Sequence, residues 1–518
     1  MQIAIIHYHL NPGGVTQVIA NHLQSLDLAL DENMICKVAI FHGGETKDWN
    51  PPFLKKLRNV KVSIHSVAAL GYDAWPTEQL DPSGLSNDLL RRLSEIGFDP
   101  AGTVIHVHNH SLGKNVSLPI ALHKLATAGY PLLLQIHDFA EDFRPEQYSR
   151  VSKALSVGQP GPVAGLLYPQ ASHIHYAVLN GRDCEVLAQS GVAPDRLHEL
   201  PNPIVEFEQL PAKKNIRKIL KEEIGVPVNT PLVLFPVRGI RRKNIGELLM
   251  WSVLMRTRAF FGATLAPINA AELPAYNRWK RLVKEARLPC VFELGKKLSL
   301  QESLAAADAL ITTSVAEGFG MVFLEAQLAG RNLLGRKLPE ITDDFEKNHI
   351  DLSFLYDRFA VPVDLIGRDH LRLQIVAAYQ NTISAFDRQS YDGPDVMDCF
   401  DRLIADGMID FAMLTPEMQS RLILEASNSD PYCDKLLKEN PLVSVAQDEI
   451  TESQVVSQNA KAVRAYYGPL SCGQRLQEIY QRLLVSNREE VTAVLARCDE
   501  LLKFFLKIER FRPIRSMS

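Results

Sequence analysis

Short runs of apolar, β-branched residues alternate along this chain with segments whose apolar positions recur roughly every three to four residues. Continuous apolar runs mark strands covered on both faces, and amphipathic segments between them mark crossover helices, so the pattern predicts parallel sheets built from βαβ units. Strands are expected over 3–9, 36–41, 60–66, 103–110, 132–137 and 173–179, with helices over 16–28 and 118–128. Pro201, Asn202 and Pro203 interrupt the alternation, and a polar stretch over 206–214 follows, which reads as a linker. The alternation then restarts, with strands over 232–237, 264–268, 291–294, 309–314 and 332–335 and helices over 244–255, 276–286, 300–307 and 320–329. The fold class is therefore α/β, with two Rossmann-like doubly wound domains facing across a cleft and ligands expected at the carboxyl ends of strands.

The expected division is 1–204 for the first domain, 205–215 for the linker and 216–344 for the second domain. An α-helical elaboration over 345–458 follows, and then closing helices and a tail over 459–518, in which 459–484 is an amphipathic helix or helix pair. The tail carries an apolar run over 501–506 followed by Arg510, Arg512 and Arg515. Such a segment can lie on a membrane surface, but packing against its own domain is the expected outcome.

Composition narrows the picture. A chain of 518 residues exceeds one ordinary core, and 46% hydrophobic with 22% charged residues excludes wholesale disorder. A formal charge of -4 supplies no broad field for nucleic acid. No apolar run approaches the ~20 residues that span a bilayer. The first residues read as a strand with no basic leader, and the seven cysteines are scattered without a C-x-x-C pair. Reduced thiols in a cytoplasmic protein are the expectation, with self-association left open.

Three segments carry chemistry. Gly13 and Gly14 sit between the first strand and the first helix, where backbone N–H groups can approach a phosphate. Arg238, Arg241, Arg242 and Lys243 crowd the next candidate loop, between a strand and the helix opening at Asn244. Fixed cations at that edge suit a diphosphate leaving group, whose charge grows as a glycosidic bond breaks. The third segment runs from Ala316 to Glu325 and ends a strand, turns through Gly318, Phe319 and Gly320, and opens an apolar helix. Glu325 is the lone charge in that helix and needs hydrogen-bonding partners, which ribose hydroxyls would supply. Glu317 precedes the helix and would face a sugar, while the N–H groups of Gly320, Met321 and Val322 can hold phosphate or sugar oxygens.

Glu317 and Glu325 around Gly318-Phe319-Gly320 resemble the paired-glutamate signature of GT-B glycosyltransferases, in particular the retaining glycosyltransferase family 4. The resemblance implies a hexosyltransferase that uses a nucleotide diphosphate sugar as co-substrate, with no cofactor and no metal. It implies donor contacts from Gly13, Gly14, Arg238, Lys243, Gly318, Phe319, Gly320, Met321, Val322 and Glu325. Catalytic roles are implied for Glu317, Arg238 and Lys243, and for His137, which with Asp138 closes a strand where the family often has a histidine beside the transferred sugar. Pro201-Asn202-Pro203 is similar to the family's interdomain segment, and 459–475 with Tyr480 to its closing helices; 345–458 and the region beyond 485 depart from the pattern.

His106, His108 and His110 alternate and are expected on one strand face, where three imidazoles suit zinc. The cleft-facing end of that strand favours acceptor recognition instead, by His108, Asn109, His110, Lys114 and Asp138. A small polar acceptor, such as a sugar or hydroxy acid, is expected over a lipid. The alternatives are a nucleotide-sugar epimerase or phosphorylase on the same fold, a transferase for lipid or polysaccharide, and a silent binding protein. Removing Lys243 is expected to change stability little, because a cation at a strand end contributes little to a core.

Overall fold

The computed structural model describes residues 1–44, 49–156, 163–207, 209–386, 400–448, 454–492, 495 and 497–516. The chain forms two compact units: 1–205 with 385–387 and 465–506, and 206–384 with 388–464 and 507–518.

In the first unit, β1 (Gln2–His7), β2 (Cys36–His42), β3 (Val60–Ser66), β4 (Thr103–His108), β5 (Leu132–Ile136), β6 (Ile174–Val178) and β7 (Leu197–Glu199) form one parallel sheet. Their order is β3-β2-β1-β4-β5-β6-β7. The direction of winding reverses between β1 and β4, which is where ligands bind in such sheets. β7 is short and polar, Leu-His-Glu, and offers no hydrophobic period to read. Helix Pro469–Val485 returns late in the chain to pack on helix Gly14–Ala29. A Cβ on Gly473 would stand 1.9 Å from the Ser25 carbonyl oxygen, so glycine sets how closely these helices approach. The amphipathic stretch is a pair, Gln454–Tyr467 and Pro469–Val485, divided at Gly468-Pro469.

The second unit repeats the logic with β8 (Leu232–Arg238), β9 (Phe260–Leu265), β10 (Cys290–Val291), β11 (Ala309–Thr312), β12 (Asn332–Arg336) and β13 (Leu355–Tyr356), ordered β10-β9-β8-β11-β12-β13. All these pairings are parallel. Its switch point lies between β8 and β11. The strand expected over 264–268 lies earlier, at Phe260–Leu265: Phe260 pairs with Leu232, and Pro267, which lacks an N–H, follows the strand's end. The region 345–458 is largely helical but also supplies β13 and an antiparallel pair, β14 (Ala360–Pro362) with β15 (Met408–Asp410). Strands of two or three residues carry too little periodicity to be legible.

One buried network ties this region to the sheet. Arg336, at the end of β12, donates to both Asp410 carboxylate oxygens at 2.7 Å and to Glu247 at 2.6 and 3.1 Å. Tyr356 donates to Glu247 at 2.7 Å and accepts from Trp251 Nε1 at 2.8 Å. Burial alone would raise the Asp410 carboxyl, but the guanidinium outweighs it and holds the group low.

The tail helix Cys498–Phe505 buries Leu501, Leu502 and Phe505 in the first unit, with the Phe505 ring 5.0 Å from that of Phe139. Its apolar face is covered by its own domain. No helix among the described residues is long and apolar enough to cross a membrane. Burial pushes the thiols of Cys36, Cys290 and Cys472 up to about 12, which makes them inert.

Candidate active site

In the second unit the candidate residues gather at the switch point. β8 ends at Arg238, whose Nη1 donates to the Ala266 carbonyl at 3.0 Å. A single 3₁₀ turn, Arg241–Lys243, follows, and buried Asn244 adopts a left-handed conformation (φ 50) before helix Ile245–Leu254 begins. The end of β11 is stitched to this turn: Thr313 Oγ1 donates to the carbonyls of Lys243 (2.9 Å) and Asn244 (3.1 Å), and Val315 N donates to Arg242 O (2.9 Å). That stitching brings Lys243 Nζ onto Glu317 Oε1, with Arg242 4.0 Å from Oε2 and the Ser314 hydroxyl donating to Oε1 at 2.7 Å. The Glu317 side chain is 6% exposed.

Electrostatics follow from that packing. Burial alone would raise the Glu317 carboxyl, but Lys243 and Arg242 outweigh it and hold it below the usual carboxylate range. Lys243 is lowered, because burial and the neighbouring Arg242 together exceed the pull of Glu317. An ammonium bears three donors, and among the described residues Lys243 gives one to Glu317. Arg241 is turned elsewhere, with its N and Nε both bonded to Glu272. The expectation that loss of Lys243 changes stability little is corrected here: the ammonium lies inside, and its removal strands a buried carboxylate.

Helix Met321–Leu328 opens on Gly320 at φ 80, where a Cβ would meet the Phe323 ring at 2.8 Å, so glycine is required. Phe323 N–H donates to the Gly320 carbonyl at 3.0 Å, while the N–H groups of Met321 and Val322 precede the helix's own ladder, at the positive end of the dipole. Phe319 is buried edge-on against Phe345, at 5.7 Å between ring centroids, and fixes the loop that carries Gly318. Met321 is half-buried and Val322 buried. Glu325 is half-buried; burial raises its carboxyl, and Lys243 opposes the rise.

In the first unit, Gly13 and Gly14 are exposed at the start of helix Gly14–Ala29. A Cβ on Gly14 would meet nothing within 4 Å, and one on Gly13 only the Asn11 carbonyl oxygen at 3.7 Å. The backbone there does not require glycine, and the loop leaves room for a ligand. β4 ends at His108, and Asn109 turns left-handed (φ 59). Its side-chain oxygen accepts from the backbone N–H of His137 (2.7 Å) and of Asp138 (3.1 Å), locking the ends of β4 and β5 together. His108 Nδ1 and His137 Nε2 are 2.9 Å apart. Burial lowers His137 to about 4, so the ring is neutral near neutral pH and acts through hydrogen bonds. Asp138 pairs with Arg144, and the Lys114 ammonium lies 5.3 Å from the Tyr72 ring centroid.

His110 does not share a strand face with His106 and His108. The left-handed residue before it redirects the chain, and its Nε2 meets the Leu167 carbonyl at 2.7 Å.

Comparison with known proteins supplies the remaining observation. The chain is 27% identical over 432 residues to mannosylglucosyl-3-phosphoglycerate synthase of Petrotoga mobilis, covering 81% of this chain and 80% of that protein. It is 25% identical over 303 residues to alpha-maltose-1-phosphate synthase of Mycolicibacterium smegmatis, covering 56% of this chain and 75% of that one. No family model matches. Among solved structures, Anabaena HepE in complex with UDP-glucose aligns with TM-score 0.50 at 13% identity, over 93% of this chain and 99% of that chain. A glycosyltransferase from Rickettsia africae aligns with TM-score 0.50 at 13% identity, over 93% and 98%. The chain is a GT-B glycosyltransferase.

The candidate site of the glycosyltransferase also includes residues with no signal in the sequence. Thr313 and Ser314 carry no charge or glycine signal and matter only through their contacts with the 241–244 turn and Glu317. Glu141 is another. It is buried four residues after His137, with the Tyr168 hydroxyl donating to its oxygens at 3.2 and 3.3 Å. Burial raises its carboxyl from the ordinary 4.5 to about 7. A carboxyl whose folded value lies above its unfolded one stabilises the fold below the unfolded value and loses that contribution as pH rises through the folded one. Glu141→Gln in the glycosyltransferase should therefore stabilise it relative to wild type by roughly 3 kcal/mol at pH about 8 and by little at pH about 4. Urea denaturation at the two pH values measures this, and an equal difference at both would remove Glu141 from the pH dependence.

Proposed function

We propose that this glycosyltransferase is a retaining hexosyltransferase of family 4, passing a hexose from a nucleotide diphosphate sugar to a small polar acceptor. The buried set Lys243–Glu317–Arg242, beside the N-terminus of helix Met321–Leu328, carries the reading. As the bond between C1 and the diphosphate oxygen breaks, the bonding pair goes to the nucleoside diphosphate. Lys243, Arg238 and the helix dipole oppose that growing charge without a metal. Glu317 holds the ammonium in place and keeps Oε2 for a sugar hydroxyl, while Glu325 takes the ribose hydroxyls. Gly13 and Gly14 add backbone N–H groups to the diphosphate. His137 contacts the transferred sugar, and His108, Asn109, His110, Lys114 and Asp138 are assigned to the acceptor side. For Asn109 and His110 that role is indirect, because both side chains are engaged within the first unit. The names of the two relatives, a phosphoglycerate derivative and a sugar phosphate, support an acceptor that is small and phosphorylated. The dispersed cysteines fit a reducing cytoplasm.

A donor and acceptor screen read by mass spectrometry tests the class, with NMR of the product's anomeric centre testing retention. An inverted centre would refute the retaining assignment, and a lipid or polysaccharide product would refute the acceptor class. Glu325→Ala should weaken nucleoside diphosphate binding by about 1–3 kcal/mol, the cost of stranding polar partners. Calorimetry on the folded variant measures it, and unchanged affinity takes Glu325 out of the site. Protein kept in EDTA should gain no rate when excess magnesium or manganese is added back. A rate restored by either ion would mean that a metal, and not Lys243 with Arg238, neutralises the leaving group.

A further inference from the structure

Among the candidate acceptor residues, His108 belongs to a buried group of imidazoles whose other two members, His22 and His106, have no task in the transfer reading. His106 and His108 alternate along β4 with their ring centroids 4.4 Å apart. His22, from helix Gly14–Ala29, lies against both, at 5.9 Å from His106 and 6.0 Å from His108. All three are buried. Neither ring nitrogen of His22, nor Nε2 of His108, has a hydrogen-bond partner among the described residues. Buried polar atoms nearly always have a partner, so three such nitrogens in one cluster point to a bound species. One ligating nitrogen from each ring falls within 4.8 Å of the other two. Nitrogens on one tetrahedral zinc ion stand about 3.3 Å apart, so binding requires the rings to turn about their side-chain bonds and draw together.

We propose that His22, His106 and His108 bind one imidazole-preferring transition-metal dication of the zinc class, joining helix Gly14–Ala29 to β4. The donor set selects the ion: three nitrogens with no carboxylate suit zinc, cobalt, nickel or copper, not magnesium or manganese. Imidazole binds such an ion in its neutral form, so uptake should weaken as pH falls. The surroundings supply the outer shell that metal-bound histidines use. Nε2–H of His106 donates to Gln135 Oε1 at 2.9 Å, and Nδ1 gives up its 2.8 Å contact with the Tyr480 hydroxyl to take the ion. Nδ1–H of His108 donates to His137 Nε2 at 2.9 Å, leaving Nε2 for the ion. Binding therefore fixes the tautomer of His137, with its own hydrogen on Nδ1. Only this last consequence rests on the proposed transferase role of His137; the site itself does not.

The test is zinc titration of the full-length, metal-stripped protein in competition with a chromophoric chelator, with no substrate present, so its outcome is separate from that of the activity assays. Wild type should take one equivalent, and His22→Leu should lose at least about 100-fold in affinity. Cobalt should give wild type the intense visible bands of a tetrahedral ion, absent in His22→Leu. No uptake by wild type, equal affinity in the two proteins, or an octahedral cobalt spectrum would each overturn the proposal. Should His22→Leu fail to fold, His22→Gln replaces it, and the wild-type cobalt spectrum decides without a variant.

Discussion

Lys243→Ala should lower kcat by about 10²–10³, with a smaller rise in KM, the usual consequence of removing one preorganised donor from a developing charge. Ground-state binding of the diphosphate uses the same ammonium, but the charge it opposes is largest in the transition state, so the rate suffers more than affinity. Stability should fall as well, by about 1–3 kcal/mol, because the variant leaves the buried Glu317 carboxylate without its closest cation. Arg242, 4.0 Å from the other carboxylate oxygen, limits that loss. The double variant Lys243→Ala/Glu317→Ala separates the two effects: stability should recover towards wild type while the rate stays low. Steady-state kinetics and thermal melts of the three proteins measure this. Kinetics of Lys243→Ala within about threefold of wild type, against the range expected for a lost donor, would show the diphosphate site to be elsewhere.

Arg336→Leu should be the most destabilising single change in the second unit, at about 3–5 kcal/mol near neutral pH. The variant leaves Glu247 and Asp410 buried without the guanidinium that bonds both, with Arg512 as the remaining cation acting on Asp410, and both then resist ionisation more than in the wild type. Its deficit should accordingly shrink on moving from pH about 7 to pH about 5, as the stranded carboxyls take up protons. In the wild type the two carboxyls pull in opposite senses, Glu247 being raised by burial against the pull of Arg336. Asp410 is held below the ordinary value, so that contribution is present above the unfolded value of 3.8 and fades as pH falls through the folded one. Urea denaturation followed by tryptophan fluorescence is a direct measure, since Trp251 reaches this network through Tyr356. A deficit under about 1 kcal/mol, the range of an exposed pair, would mean that water reaches the network.

Much of the candidate donor site was legible because its signals are local. A strand, a basic or glycine-rich turn and a helix follow one another within about two dozen residues in 232–254 and again in 309–328, and parallel sheets place such turns at the same edge. Chain order alone could not say that β8 and β11 are neighbours, yet that pairing sets Lys243 against Glu317. The short strands β7, β13, β14 and β15 were illegible for a different reason. Their two or three residues have no period of their own: β7 and β13 are strands because they join the edges of ladders already built, and β14 and β15 because tertiary packing brings them together.

The histidines divide in the same way. Alternation in β4 put His106 and His108 on one face by covalent geometry alone. His110 left that face because Asn109 is left-handed, and His22 joined it from a helix more than eighty positions earlier in the sequence. The sequence by itself determined two doubly wound sheets, their switch-point loops and the residue types gathered there, because hydrophobic period and turn chemistry act over a few neighbours. Tertiary structure alone decided which charges meet, which are buried and where their protons sit: Lys243 with Glu317, Arg336 with Glu247 and Asp410, Glu141 under Tyr168. Coulomb attraction and desolvation depend on distance and burial in three dimensions, and neither is written in the order of residues.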